Sequence, residues 1–324
     1  QYDGNVCTGT ITASTYYAGF TCLTGVNVGN YNNSTNTPIV NLTNSNFYKD
    51  TLYIDNGGSG ILSGIGNRIQ GNSGLNVIAG GAGNCINTPN CNNSQCYIFI
   101  GGGQGNCSAS KHSVISGGCC NTISNGYCST IGGGWSNLIN APNSTISGGY
   151  RNTINQTESF IGGGSRNCIV SYASGIVSGS QNTISGYSER STISGGYCNV
   201  IGVNASISHI GGGYANRISS SGYATQANAI GGGQLICIID GKNNFIGSGF
   251  SNYITNSNYA SIVGGASNFI SNGSSSSFIG GGNTNCIDGV SHHSHIGSGG
   301  FNKIITGSGY TFIGAGYGNT ISCY

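Results

Sequence analysis

Charge, methionine, proline and long apolar runs are scarce in this chain. Charged residues make up 5% of its 324 residues, proline occurs 3 times and methionine is absent. An average soluble domain carries about 25% charged residues, so amides, hydroxyls or attached sugar must supply solubility here, and low charge favours assembly. The 9 lysines and arginines are spread singly, which leaves no basic patch for nucleic acid. No apolar run reaches the roughly 18 residues of a membrane helix. We therefore expect neither nucleic acid as a partner nor a membrane span.

Cysteines and glycosylation motifs, in contrast, are abundant. The chain has 14 cysteines and starts at Gln1, from which we expect a trimmed precursor whose export signal has been removed. Together with the motif Asn-x-Ser/Thr, which marks N-glycan acceptors, these features predict an oxidising secretory route and an extracellular, virion-surface or cell-surface location. The predicted glycosylation sites are Asn32, Asn33, Asn41, Asn92, Asn106, Asn143, Asn155, Asn204 and Asn272.

A repeat of the form IxGGxxNxI dominates the sequence. Sixteen copies follow one another, the first beginning at Ile61 and the last at Ile313, mostly 15 to 17 residues apart. The Asn of the pattern is present in fifteen copies, with Ile236 as the exception, and the second Ile in fifteen, with Ser108 as the exception. Such a register predicts an all-β protein, a parallel β-solenoid or β-roll of about sixteen coils.

Each part of the repeat has a structural interpretation. The two Ile predict two very short strands per coil with one inward side chain apiece. The glycine pair indicates a sharp turn or close backbone approach. The Asn at the next corner tolerates the left-handed region and can form a ladder with its neighbours.

Two Ile per coil make a thin core, so we expect further apolar burial outside it. One candidate is a stripe of aromatic residues four positions after the first Ile, which either contacts a partner chain or stacks on sugar rings. The stripe contains Trp135, Tyr150, Tyr197, Tyr214, Phe250 and Tyr317. A second candidate is the position just before the first Ile, which carries Phe160, Phe245, Phe278 and Phe312.

Two segments of the repeat resemble known proteins. STISGGYRNTI (144–154) and SFIGGGSRNCI (159–169) are similar to the head repeats of trimeric autotransporter adhesins. Comparable Gly- and Asn-rich repeats occur in surface and fibre proteins of large DNA viruses and in phage tail fibres. The resemblance covers residues 56–324 and implies a β-roll, a trimer and a role in surface display or adhesion. The period here is longer than in bacterial adhesin heads and cysteines are denser, which fits a eukaryotic or viral fibre better.

The chain divides into two predicted parts. Residues 1–55 lack the repeat and contain Cys7 and Cys22, so we expect a small β-rich cap with a local disulfide, or a segment that docks one subunit on the next. Residues 56–324 form the solenoid domain. Partners are accordingly other copies of the chain, as a trimer or head-to-tail fibril.

The remaining cysteines are predicted to form structural disulfides. Cys85 and Cys107 each lie seven residues after a first Ile, which places them at the same corner of successive coils and within disulfide reach. No zinc-binding spacing is present among the cysteines. The other members of the predicted disulfide set are Cys91, Cys96, Cys119, Cys120 and Cys128.

Neither catalysis nor a cofactor is predicted. His292, His293 and His295 offer a metal-binding pattern, but only Asp288 lies beside them and we expect solvated loop histidines. The 7 acidic residues are scattered at different offsets in the repeat, whereas glycan-cleaving solenoids need converging carboxylates. The sequence thus predicts a glycosylated, disulfide-reinforced structural fibre protein. The alternative is an adhesin or viral receptor-binding fibre that recognises surface glycans.

Overall fold

The repeat domain is a parallel β-solenoid of sixteen coils. A computed structural model describes residues 59–71, 75–88, 96–222, 227–305 and 307–322, and in these residues every regular element is a β-strand. The predicted fold class is therefore confirmed. Within the same ranges no helix is long and apolar enough to cross a bilayer. The predicted N-terminal part, residues 1–55, lies outside the described residues.

The odd-numbered strands carry the first Ile of each coil and form one sixteen-stranded parallel sheet. They are β1 (Gly60–Ile61), β3 (Val77–Ile78), β5 (Phe99–Ile100), β7 (Val114–Ile115), β9 (Thr130–Ile131), β11 (Thr145–Ile146), β13 (Phe160–Ile161), β15 (Gly175–Ile176), β17 (Thr192–Ile193), β19 (His209–Ile210), β21 (Ala229–Ile230), β23 (Phe245–Ile246), β25 (Ser261–Ile262), β27 (Phe278–Ile279), β29 (His295–Ile296) and β31 (Phe312–Ile313).

The even-numbered strands follow the Asn of each coil and form a second sixteen-stranded parallel sheet. They are β2 (Arg68–Gly71), β4 (Cys85–Thr88), β6 (Cys107–Ser108), β8 (Thr122–Ile123), β10 (Leu138–Ile139), β12 (Thr153–Ile154), β14 (Cys168–Ile169), β16 (Thr183–Ile184), β18 (Val200–Ile201), β20 (Arg217–Ser219), β22 (Cys237–Ile239), β24 (Tyr253–Thr255), β26 (Phe269–Ile270), β28 (Cys286–Ile287), β30 (Lys303–Ile305) and β32 (Thr320–Ser322).

A third ladder runs between the two sheets. The residue four positions after each first Ile forms a single-residue parallel bridge to its counterpart in the next coil, from Ile65 through to Tyr317. Each coil therefore has three hydrogen-bonded sides. The third side contains one paired residue per coil because the glycines before it turn the backbone too sharply for a longer strand.

The core is a double column of isoleucines. Ile146 and Ile154, from one coil, are both fully buried, while Thr145 and Thr153 beside them are half-buried on the outer faces. This alternation follows from the two-residue period of a strand. Burial of each Ile stabilises the fold by about 1.5–3 kcal/mol relative to exposure. The core is thin, as predicted.

The repeated Asn forms a buried ladder of hydrogen bonds. Asn152 Nδ2 donates to Gly148 O and to Gly164 O of the next coil, both at 3.0 Å, and its Oδ1 accepts the Asn167 N–H at 3.0 Å. The Asn is fully buried, so these three bonds satisfy polar atoms that water does not reach. Ile236 interrupts this ladder with a buried apolar side chain.

The prediction that the Asn of the repeat adopts the left-handed conformation was wrong by one residue. The left-handed conformation belongs to the residue before the Asn, at φ 52° in Arg151, 57° in Thr284 and 56° in Phe301. The Asn side chain points inward to reach the neighbouring coils, and the backbone reverses one position earlier. The corner therefore imposes strain on whichever non-glycine residue stands there.

The second glycine of the pair is required by close packing between coils. It is present in all sixteen copies. Gly103 has φ 88°, and a Cβ added to it would lie closer to the Gly118 carbonyl oxygen than Cβ atoms lie to their neighbours in real proteins. Only glycine allows coils to approach this closely.

A second buried polar ladder, which was not predicted from the repeat, lies two residues before the first Ile. Ser129 Oγ accepts the Ser144 N–H at 3.0 Å, and Ser144 Oγ accepts the Ser159 N–H at 3.3 Å. Serine stands at this offset in ten of the sixteen copies, which is the signal that could have revealed it. The interior is thus isoleucine flanked by two polar ladders.

Candidate functional site

The predicted aromatic stripe is one column on the surface of the third ladder. All of its members point outward, and exposed fractions run from 36% for Tyr150 to 77% for Tyr317. The members in chain order are Trp135, Tyr150, Tyr197, Tyr214, Phe250 and Tyr317.

The stripe is divided into short stacks. The ring centroids of Trp135 and Tyr150 lie 4.8 Å apart, with an angle of 8° between the ring planes. The ring centroids of Tyr197 and Tyr214 lie 5.6 Å apart, with an interplanar angle of 14°. Neighbouring coils are spaced by about 4.8 Å, so rings in successive coils cover each other's faces. Smaller residues separate the stacks, among them Ser165 after Tyr150. A continuous aromatic platform is absent from this column.

Two arginines surround the first stack. The Arg151 guanidinium carbon lies 4.9 Å from the Trp135 ring centroid and 5.1 Å from that of Tyr150, and the Arg166 carbon lies 5.8 Å from Tyr150. Cation–π attraction holds each guanidinium over these rings, at about 0.5–1 kcal/mol for an exposed pair. These four residues, Trp135, Tyr150, Arg151 and Arg166, are the aromatic–arginine cluster.

Small neighbours leave the ends of the Trp135–Tyr150 stack uncovered by rings. Cys119 precedes Trp135 in the ladder and Ser165 follows Tyr150. The cluster therefore presents ring edges, the outer ring face of Trp135 and two guanidinium groups on one exposed surface, and Arg166 lies over Tyr150. This combination can contact a ligand that is both apolar and anionic.

The described carboxylates do not converge on any site. Each accepts a hydrogen bond in a different loop, and none contributes to the aromatic–arginine cluster. The bonds are Tyr172 Oη to Glu158 at 2.5 Å, Ser206 Oγ to Glu189 at 2.8 Å, Ser221 Oγ to Asp240 at 2.9 Å and Asn272 Nδ2 to Asp288 at 2.7 Å.

The Cys85 and Cys107 side chains lie on strands, not at a corner as predicted. They open β4 and β6 and are register partners in the second sheet, because the Asn occupies the inward position just before them. Both are half-buried thiols. The hydrogen bond with Cys107 and the nearby Arg68 hold the pKa of Cys85 at about 7, whereas the same bond raises the pKa of Cys107. The disulfide between them remains a prediction.

The other predicted cysteines have varied surroundings. Cys96 is buried and disulfide-bonded. The Sγ atoms of Cys119 and Cys120 lie 3.2 Å apart as thiols, and Cys128 is an exposed thiol. The predicted Cys7, Cys22 and Cys91 lie outside the described residues.

One predicted glycosylation site is incompatible with the fold. Asn106 belongs to the buried ladder, and its Nδ2 donates to Gly102 O at 2.8 Å and Gly118 O at 2.9 Å, which leaves no room for a glycan on that nitrogen. Asn143 and Asn272 are exposed. Asn155 and Asn204 are half-buried in loops, while Asn32, Asn33, Asn41 and Asn92 lie outside the described residues.

The three histidines face different neighbours. His292 Nδ1 accepts the Ser275 N–H at 3.3 Å, the His293 ring stacks on Tyr310 at 4.8 Å, and the His295 ring lies 5.9 Å from Phe278. Across the ranges that the structure describes, no three His, Cys, Asp or Glu side chains gather into a metal-binding group.

Comparison with known proteins does not indicate a function for this chain. No protein-family model and no curated protein sequence matches this chain. The aromatic–arginine cluster and the regularity of the solenoid are the features on which a function can be argued.

Proposed function

We propose that this chain is a structural fibre protein of the extracellular, virion or cell surface. The observation that carries the proposal is the unbroken register of sixteen coils, in which two sheets and a third ladder pair every coil with the next. A stacked solenoid of this kind resists bending because each coil is hydrogen-bonded to its neighbours on three sides. Stiffness is a mechanical property, and no catalytic group is needed for it.

Self-assembly is the second part of the proposal. The outer face of the first sheet exposes Phe99 at 41%, Phe160 at 42% and Phe245 at 43%. These rings add to the third-ladder aromatics, and the first-sheet column contains no Lys, Arg, Asp or Glu to oppose association. Chains that pack side by side as trimers, or end to end as fibrils, would bury this surface and supplement the thin core.

N-glycans and disulfides complete the proposed fibre. The exposed Asn143 and Asn272 lie in loops between coils, where attached sugar would not disturb the ladders. A bond between Cys85 and Cys107 would join two successive coils covalently.

Negative-stain electron microscopy of the purified chain, with sedimentation velocity at several concentrations, tests the proposal. We expect rods whose ordered part is composed of stacked coils, and a sedimentation coefficient above that of a monomer. Dispersed, non-associating monomers at all concentrations would refute self-assembly.

A second candidate function is adhesion through surface glycans. The aromatic–arginine cluster favours it, since exposed rings and guanidinium groups are side chains that recognise ligands. A glycan array probed with the labelled protein tests this candidate. No signal on any glycan would leave only the mechanical role.

A further inference from the structure

Arg151 and Arg166 form a pair of like charges on adjacent coils. They occupy the same left-handed corner, at φ 52° and 54°, so their side chains leave backbones about one coil spacing of 4.8 Å apart. Their guanidinium carbons lie 5.1 Å and 5.8 Å from the ring centroid of Tyr150. Two cations held around one ring repel each other. An anion bound between them would be attracted to both and would offset this repulsion.

Side chains of the protein do not supply that anion within the described residues. The four carboxylates there, from Glu158, Glu189, Asp240 and Asp288, each accept a hydrogen bond from a hydroxyl or amide elsewhere. Both arginines are exposed. The guanidinium donors are therefore directed to solvent or to a ligand from outside.

The aromatic part of the cluster adds a requirement for apolar surface. Trp135 is 38% exposed and Tyr150 36%, and the small Cys119 and Ser165 flank their stack. A sugar ring has apolar C–H faces that can cover an aromatic face, while a sulfate or carboxylate substituent can accept paired hydrogen bonds from guanidinium groups.

We propose that the aromatic–arginine cluster binds an acidic polysaccharide. Its sulfate or carboxylate group lies between the Arg151 and Arg166 guanidinium groups, and the adjoining sugar ring packs on the Trp135–Tyr150 stack. The inference rests on the second candidate function and specifies its ligand class. A nucleic acid is disfavoured because backbone binding uses a row of about 6–10 phosphate contacts, whereas this site offers two cations.

Trp135 provides a local reporter, because it is the single tryptophan of the chain. The full chain is titrated with dextran sulfate, with polygalacturonate, with neutral dextran and with duplex DNA while Trp135 fluorescence is recorded. We expect a saturable change with dextran sulfate or polygalacturonate, and none with dextran or DNA. The polymer that binds more tightly identifies sulfate or carboxylate as the group recognised. An equal response to DNA, or no response to either acidic polysaccharide, overturns the inference.

A matched pair of variants distinguishes binding at the aromatic–arginine cluster from non-specific electrostatic attraction to the polymer. Arg151→Gln/Arg166→Gln should weaken binding about tenfold or more, because it removes charge-assisted hydrogen bonds. Gln181 already occupies the same left-handed corner, at φ 58°, so the variant should fold. The control Arg217→Gln/Lys303→Gln removes two exposed cations from the second sheet and should retain the affinity. Equal weakening in both variants overturns the inference.

Electron microscopy of the same samples tests the fibre proposal independently of polysaccharide binding. Fibres that do not bind acidic polysaccharide would overturn this inference alone. Monomers that bind it would overturn the fibre proposal alone.

Discussion

The backbone N–H of Asn167 donates a hydrogen bond to Oδ1 of Asn152, one coil away, at 3.0 Å. The same relationship recurs between Asn137 and Asn152 at 2.9 Å and between Asn167 and Asn182 at 3.0 Å. Each Asn thus bonds its own coil and the next coil through Nδ2, and the next coil a second time through Oδ1. Coil stacking is specified by a side chain as well as by the sheets.

Asn152→Asp should destabilise the solenoid by about 3 kcal/mol or more at neutral pH, because a buried carboxylate would face Gly148 O and Gly164 O without donors. Burial raises the pKa of such a carboxyl above that of the unfolded chain, so the loss should grow as pH rises from 4 to 7. Thermal unfolding at both pH values measures this. The control Asn143→Asp, at an exposed loop position, should change little; equal losses would contradict the ladder's role.

Gly103→Ala should destabilise the stacking of coils much more than Gly105→Ala does. An added Cβ at Gly103 meets the backbone of Gly118, whereas at Gly105 it meets only Cys120 Sγ at 3.6 Å. Gly105 has φ 63°, so its substitution should cost only the left-handed strain, about 1–2 kcal/mol. Gly103→Ala should prevent neighbouring coils from stacking. Hydrogen exchange of the flanking coils is the measurement, and similar protection in the two variants would argue against the close approach.

Ser267→Gly should stabilise the protein. Ser267 is exposed and lies at φ 54°, where a residue with a Cβ is strained by about 1–2 kcal/mol. The greater freedom of glycine in the unfolded chain offsets roughly 0.5–1 kcal/mol of that gain. We expect a net gain of about 0.5–1 kcal/mol in chemical denaturation. Leu138→Gly, in strand β10, should instead destabilise; a loss in both variants would refute strain at the corner.

Cys85 should be the most reactive thiol of the second sheet in reduced protein. Its pKa of about 7 makes the thiolate abundant at pH 8, whereas burial raises the pKa of Cys286, in the same column, to about 11. The rate of iodoacetamide labelling at Cys85 should therefore rise between pH 6 and 8 and level off above, as peptide mass spectrometry can follow. Cys286 should remain slow across this range. Cys107→Ala should shift the Cys85 profile to higher pH, because it removes the hydrogen bond that contributes most to the lowering.

Glycan occupancy should follow exposure. When the chain is secreted from a eukaryotic cell, we expect sugar at Asn143 and Asn272 and none at Asn106, whose amide is buried in the ladder. Glycopeptide mapping with and without glycosidase treatment distinguishes these outcomes. Folded, fully glycosylated Asn106 would contradict the ladder geometry at that coil.

The repeat pattern was sufficient to predict the fold because its physics is local to one coil. Two Ile at fixed offsets predicted both strands and the inward columns that Ile146 and Ile154 occupy. The Asn column and the shared aromatic column were likewise visible as periodicity. Periodicity alone determined which side chains align along the solenoid.

Tertiary structure decided how each aligned column is used. It placed the left-handed turn at Arg151 instead of at Asn152, moved Cys85 from a corner to a strand, and buried the glycosylation motif at Asn106. It also brought Arg151 over Trp135, a residue of the preceding coil, to form the aromatic–arginine cluster. These outcomes depend on backbone direction within a coil and on contacts one coil away, and a spacing pattern specifies neither of them.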